Sequence, residues 1–498
     1  MGALTFLVEK QIQINKGIAM QRRLLLLLVL LQLPLLAGLQ HLTLHSALKI
    51  LDKKNLEIKI AQYNAQMKKY EQIAAEGYDY GKLDFSFMAL RSNDAGNVFG
   101  FKLQSREASF GDFGFSDFLG AFGQSMIDPS TGMPGDFNNF MTNMANPVAQ
   151  QQLLSIQPHD LNYPDARNHF VSKFTYMLPV YTGGKLTEYK NITRSLFKMS
   201  KLDMAKVRAQ KRYQVKKAFY DIALVQSYIS NLRRIIGNIR RLKQIITEMK
   251  KEGYAQETDK LEVQARMAEA QSMLSQAKLN RKLAYQFLSF LLDTEVSSVR
   301  TTGALAPAPR VTKAMIERRS LDIQKAKLGF RITKMALELE KSNFRPKVGA
   351  FAEYGSADDK PFNDFFDKDS YTVGMQLQYN LFNGGVDEAN LEKARVNMMK
   401  VADQVRLAKK GIALKVKQLQ TQIGGHDADI RSYRAQLKFA RTVYRKYQEK
   451  YKEGVASITD VLIKQSKELE ILLKLLTAKN ARNSKVFALQ NVLNLGVK

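Results

Sequence analysis

The sequence lies on itself without gaps at an offset of 201 residues, over more than a hundred positions. Gly183 and Gly184 fall on Gly384 and Gly385, Lys251, Glu252 and Gly253 on Lys452, Glu453 and Gly454, and Thr258 and Asp259 on Thr459 and Asp460. Three sets kept in step at one offset mean an internal repeat, and a repeat restricts the chain to folds built from two equivalent units. Upstream, Leu56 in NLEIK matches Leu321 in SLDIQ at an offset of 265, so the first copy carries 64 more residues ahead of its Gly-Gly pair. That insertion lies between Leu90 and Phe170 and is aromatic and Met-rich from Phe110 to Leu154.

Each copy opens with about 30 residues of helical periodicity, 42–76 and 313–343, in which Leu, Ile, Ala and Met recur at three and four. Each then turns into strands. Tyr371, Val373, Met375, Leu377, Tyr379 and Leu381 alternate with polar residues in a period of two. Phe170–Leu178 alternates in the same way, with Phe174 and Tyr176 opposite Lys173 and Thr175, and Leu83–Leu90 and Lys347–Tyr354 complete the strand set. Alternating strands of this length, apolar on one side, suit the wall of a membrane barrel, and a soluble sandwich edge is the other reading. Four strands cannot close a barrel, so a barrel demands association; three copies give twelve strands and a lumen.

After each Gly-Gly pair the helical pattern runs for about 69 residues, or roughly 100 Å at 1.5 Å per residue. Val215, Ile222, Ile229 and Ile236, with Ala218, Val225, Leu232, Ile239 and Ile246, form a heptad seam. The matching row Val416, Ile423, Ile430 and Leu437 is looser around Gly424, Gly425 and His426, where a bend is plausible. A reversal at Gly253 or Gly454 returns the chain as a second helix to about Leu292 or Leu493. The expected class is α+β: long coiled-coil helical hairpins, plus four strands per chain contributing to a barrel shared between copies.

The ends of this scheme follow from composition. Arg22 and Arg23 precede a Leu-rich run, Leu24–Leu36, that reads as a secretory signal, so 1–38 is expected to be a leader, with 1–19 a start-site extension. The expected domains are then 39–292 as the first repeat, 293–312 as a Pro-containing linker, and 313–498 as the second repeat. The absence of cysteine removes disulfides, zinc-thiolate sites and thiol catalysis. A formal net charge of +29 would favour nucleic acid, but Lys and Arg are spread along the helices among Glu, as on solvated faces, and no nucleic-acid partner is expected.

With these residues in place, the chain resembles the TolC-like outer-membrane efflux protein family over nearly all of the mature sequence. The marks are NVFGFKL at 97–103, LNYPDARNHF at 161–170, LPVYTGG and NLFNGG before the long helices, RSLDIQ at 319–324, and EGYAQETD and EGVASITD at the hairpin tips. The resemblance implies a homotrimer with a twelve-stranded barrel in the outer membrane, in contact with its lipid. It also implies a helical tunnel closed at its periplasmic end, a periplasmic adaptor (membrane fusion protein), and an inner-membrane RND or ABC pump. The chain would be a passive duct, exporting small molecules or proteins as part of a tripartite efflux or type I secretion system.

By the same resemblance Asp460 is a charged constriction in the pore, and Tyr451 bonds across to Thr258 and Asp259 on another hairpin. Gly253 and Gly454 are adaptor contacts. Plain local structure explains the same residues: Ser457 with Asp460 is a capping box, and a glycine ends a helix. Catalysis finds no nucleophile–base pair, and no cofactor or metal is expected. His41 and His45 have metal-ligand spacing without a third ligand. TGGK at 182–185 lacks the first glycine and the hydroxyl of a phosphate loop. Asp358, Asp359, Asp364, Asp367 and Asp369 read as a solvated loop at the outer mouth. A periplasmic adaptor or scaffold without a barrel is the alternative, and a DNA-binding coiled coil is a third.

Overall fold

The computed structural model describes residues 39–128, 130–300 and 304–495; the expected leader lies outside them. In chain order the helices and strands are α1 (Leu44–Lys54), α2 (Leu56–Gly77), β1 (Lys82–Ser92), α3 (Ala95–Gln104), α4 (Phe115–Ser125), α5 (Phe137–Met144), α6 (Pro147–Leu154), α7 (His159–Asn162) and β2 (Arg167–Tyr181). There follow α8 (Lys185–Lys251), α9 (Glu257–Leu292), α10 (Lys313–Arg319), α11 (Leu321–Lys341), β3 (Lys347–Asp358), β4 (Asp369–Gln378), α12 (Val386–Lys452) and α13 (Ile458–Val492). The helices α8 and α12 are each 67 residues long and begin and end at equivalent positions of the repeat. None of the described helices is both long and apolar enough to cross a membrane.

Two compact units are present, and they cut across the repeat. One is helical and holds the chain up to Tyr70, Arg194–Thr333 and Asn397 onward; the other holds Glu71–Thr193 and Lys334–Val396, including the sheet.

In the helical unit the heptad seam of α8 is the core. Val215, Ile222, Leu232, Ile239 and Ile246 are all fully buried, as a seam facing partner helices requires. In α12 the row Val416, Ile423, Ile430 and Leu437 is buried as well, and the helix runs through Gly424 and Gly425 without interruption. The expected opening helices are each broken once, at Asn55 and at Ser320, which are equivalent at the offset of 265. Asn55 caps α2 by accepting from the Ile58 amide at 3.0 Å and donates to the Leu291 carbonyl at 2.9 Å. The amide thus stops α1 and fastens the break to the end of α9. Ser320 is fully buried, and its hydroxyl has no partner among the described residues.

The described residues between 293 and 312 form no regular helix, yet several of them are packed. Leu39 and Leu42 bridge in parallel to Val296 and Val299, which are buried, and the Ala306 amide donates to the Asn483 side chain at 2.9 Å.

Asp52 of α1 accepts hydrogen bonds from Arg208 at 2.7 Å and Arg212 at 2.6 Å. Burial alone would raise its pKa; the two guanidinium groups outweigh it and hold the carboxyl below its ordinary value. A lowered folded pKa gives stability that is present above about pH 4 and lost as pH falls through the folded value. Asp52→Asn is expected to cost about 1 kcal/mol at pH 7 after solvent screening. It should also flatten the fall in Tm below pH 4, as thermal melts at pH 7 and pH 3 would check.

In the other unit the four strands form one antiparallel sheet in the order β1-β2-β3-β4. Register places directly opposed residues on the same face. Leu83 opposes Tyr176, which opposes Ala352, which opposes Val373; Phe85, Phe174, Tyr354 and Tyr371 make the next row. These two rows are therefore apolar across all four strands, and the row beyond them, Phe87, Ser172, Ser356 and Asp369, turns polar. The opposite face carries Asp84, Thr175, Glu353 and Thr372 in one row, and Lys173 and Glu353 pair on it at 3.1 Å. The apolar row of β4, Tyr371, Val373, Met375 and Leu377, is exposed in the single chain, and both outer edges, on β1 and β4, lack a neighbour. Expected alternation to Leu381 stops at Gln378, because its partner Lys347 is where β3 begins.

The insertion folds as short helices with a chain of ring contacts, Phe110–Phe115–Phe118–Phe122–Phe140–Phe137.

Candidate functional site

At the tip of the first hairpin α8 ends in Gly253, at φ 81°, with the Tyr254 amide donating to the Met249 carbonyl at 2.8 Å. The second tip repeats this: Gly454 has φ 74° and the Val455 amide donates to Lys450 at 2.9 Å. A left-handed residue closing a six-to-one bond is the Schellman stop, and it favours glycine at both positions. A side chain at either would meet nothing within 4 Å, so conformation and not crowding restricts these sites. Gly183 differs, because a Cβ there would lie 2.7 Å from the Ser342 carbonyl oxygen.

The returning helices are capped by the acids of the repeat. Asp460 accepts from the Ser457 amide at 3.3 Å and hydroxyl at 2.7 Å, while the Asp460 amide donates to Ser457 Oγ at 3.1 Å. The Ser457 side-chain bond and then the backbone bond hold the Asp460 carboxyl below its ordinary pKa, so it stays ionised through the physiological range. Asp259 plays the equivalent part in α9, accepting from the Gln256 amide at 3.0 Å, and Thr258 donates to the Gln256 side chain at 3.3 Å.

Tyr451 is only 6% exposed, and its hydroxyl has no hydrogen-bond partner among the described residues. Burial, then the nearby Asp259 carboxylate, raises its pKa. The structure therefore brings Tyr451 close to Asp259 within one chain, but the expected bonds from Tyr451 to Asp259 and Thr258 are not made there. Capping and a role in a constriction use different oxygens and lone pairs, so the first does not exclude the second.

The two tips are held on one core. Val263, Ala270 and Ala277 of α9 pack in the same cluster as Ile458, Val461 and Leu462 of α13, together with Tyr451 and the lower seam of α8. Thr459 donates to Glu262 across the hairpins at 2.8 Å, and Arg266 bonds Ser466. Sequence reasoning missed both bonds, since they join residues about 200 apart with no local pattern to mark them.

Other expected candidates come out as follows. His41 lies outside α1 with φ 51°, its amide bonded to Ser298 Oγ at 2.7 Å, so His41 and His45 do not share a helix face. Asp358 corrects the reading of a solvated acidic loop: it is 3% exposed at the end of β3, and Lys368 at 2.8 Å and Asn363 at 3.0 Å compensate its burial. Asp369 likewise begins β4. Glu107, Asp358 and Asp359 bring carboxylate oxygens within 4.8 Å of one another, but Lys368 bridges Glu107 and Asp358, and Arg167 supplies a second cation to Glu107. The TGGK stretch is a strand-to-helix turn with Gly183 and Gly184 at φ 66° and 93°.

A profile of the outer membrane efflux protein family matches residues 314–495, the second repeat. The alkaline protease secretion protein AprF of Pseudomonas aeruginosa is 24% identical over 313 residues, covering 59% of this chain and 63% of that protein. The match thus spans less than two thirds of that relative. Among solved structures, CusC aligns with a TM-score of 0.72 at 11% identity, over 91% of this chain and 92% of its own. The outer membrane protein VceC of Vibrio cholerae aligns with a TM-score of 0.69 at 13% identity, over 91% and 97%. The outer membrane efflux protein domain thus covers the second repeat, and the fold of these solved channels extends over nine-tenths of the chain.

Proposed function

We propose that the chain is the outer-membrane channel subunit of a tripartite efflux or type I secretion system, a passive duct assembled from three copies. The observation that carries this is the sheet register, which sets two apolar rows, Leu83–Tyr176–Ala352–Val373 and Phe85–Phe174–Tyr354–Tyr371, across all four strands on one face and leaves β1 and β4 as open edges. In lipid each unpaired backbone group costs several kcal/mol, so the edges must be closed by other copies. Twelve strands leave a polar-lined lumen, matching the polar face here. Each long helix, about 100 Å at 1.5 Å per residue, would reach across the periplasm.

The hairpin tips are the proposed periplasmic gate, with Asp460 as the constriction and Tyr451, Asp259 and Thr258 as its latch. Tyr451 supports this with a buried hydroxyl that lacks a partner among the described residues, since such a group is costly until something completes it. Gly253 and Gly454 are the proposed docking points of a periplasmic adaptor, through which an inner-membrane pump would be coupled. The name of AprF, a protease secretion protein, favours protein export. An adaptor without a barrel has no use for an apolar sheet face, which weighs against that alternative. The chain carries no catalytic step of its own; transport energy comes from the pump.

Protein purified from outer membranes should produce discrete conductance steps in planar lipid bilayers. A preparation that inserts and never conducts, under any voltage, would count against the duct.

A further inference from the structure

Above the tips, in the helical unit, a cleft of about 580 Å³ opens between α8 and α12. That volume is in the range of small-molecule sites. Arg234 and Arg241 line it from α8, and Arg441, Arg445 and Lys452 from α12, over a floor that includes buried Tyr444 and Leu242. The lining acids are Glu449 and Glu468. Glu468, 7% exposed, is held by Arg441 at 3.1 Å and Arg234 at 3.6 Å, so the charge of that carboxylate is already used. Arg241, Arg445 and Lys452 have no ion pair or hydrogen bond among the described residues, leaving five cations against two carboxylates. Like charges facing one another across a groove are mutually unfavourable, and an anion between them removes that repulsion while desolvating little of its own surface.

We propose that this cleft binds a compact anion bearing two or more phosphate or carboxylate groups. The guanidinium forks of Arg241 and Arg445 suit such oxygens in paired hydrogen bonds, and Lys452 adds a point charge. Because the cations come from the first helix of each hairpin, a bound anion ties the two hairpins together over the last turns of α12, next to Tyr451. The binding site belongs to the single chain and stands whether or not the tips act as a gate.

The test titrates pyrophosphate into the detergent-purified full chain by calorimetry at low ionic strength, with sodium chloride at matched ionic strength as the blank. One saturable site per chain is expected, weakened at least tenfold in the Arg241→Gln, Arg445→Gln double variant. A control, Arg240→Gln with Lys446→Gln, removes the same charge from exposed positions outside the cleft and should leave affinity within about twofold. All these positions are exposed on helices, so the variants should keep wild-type circular dichroism. No saturable binding at millimolar pyrophosphate, or equal weakening in both double variants, would overturn the proposal.

Discussion

Val373→Arg is expected to abolish assembly in the outer membrane, while Thr372→Arg, one residue away, leaves it largely intact. The two positions sit mid-strand on β4 and point to opposite faces of the sheet. Val373 closes the apolar row that begins at Leu83; Thr372 lies opposite Glu353 on the polar face. An arginine on the lipid face near the bilayer midplane costs about 2–4 kcal/mol, and three copies would each bear it. On the lumen face the same arginine stays in water beside a carboxylate and costs little. Folded protein in outer-membrane fractions, measured by heat-modifiable mobility, should therefore vanish for the first and persist for the second. Equal behaviour of both would show that the strand does not separate lipid from lumen.

Tyr451→Phe combined with Asp259→Ala should raise single-channel conductance in planar bilayers several-fold. Tyr451 is buried beside Asp259 with its hydroxyl unpartnered among the described residues, and the proposed latch would complete it in the assembled, closed state. Each such bond contributes only about 1 kcal/mol net, and threefold repetition gives a closed state that remains within reach of a docking partner's binding energy. Asp460→Ala should act differently. Its carboxyl is held ionised by Ser457, so its removal takes negative charge from the proposed constriction. Cation preference and block by multivalent cations should weaken, with a smaller change in conductance. The capping bond is lost as well, at about 1 kcal/mol, which a melt would report separately. If none of the three substitutions alters conductance or selectivity, these residues are caps alone.

Much of this architecture was legible because repetition and period are one-dimensional signals. The offset of 201 residues set two long helices in step, and the structure gives both as 67 residues with equivalent ends. The heptad seam from Val215 to Ile246 became the core because a seven-residue apolar repeat has one packed solution. The stops at Gly253 and Gly454 and the cap at Ser457 were readable from local chemistry. The breaks at Asn55 and Ser320 were not, since apolar periodicity runs through both; yet both are cap-forming residue types at equivalent positions, and that coincidence was the available signal. Asp358 was misread because a run of acids looks solvated until Lys368, held elsewhere in the fold, is seen to reach it. The basic cleft left no trace at all. Its arginines occupy ordinary exposed positions on two helices some 200 residues apart, and only tertiary packing brings them together.

The central claim is that three open sheets close one barrel. Sedimentation of the protein extracted from outer membranes in detergent, with the bound detergent subtracted, tests it most directly. A single species at three times the 56.5 kDa chain mass, less any removed leader, is the expected result. A monodisperse monomer that stays in solution without detergent would contradict it.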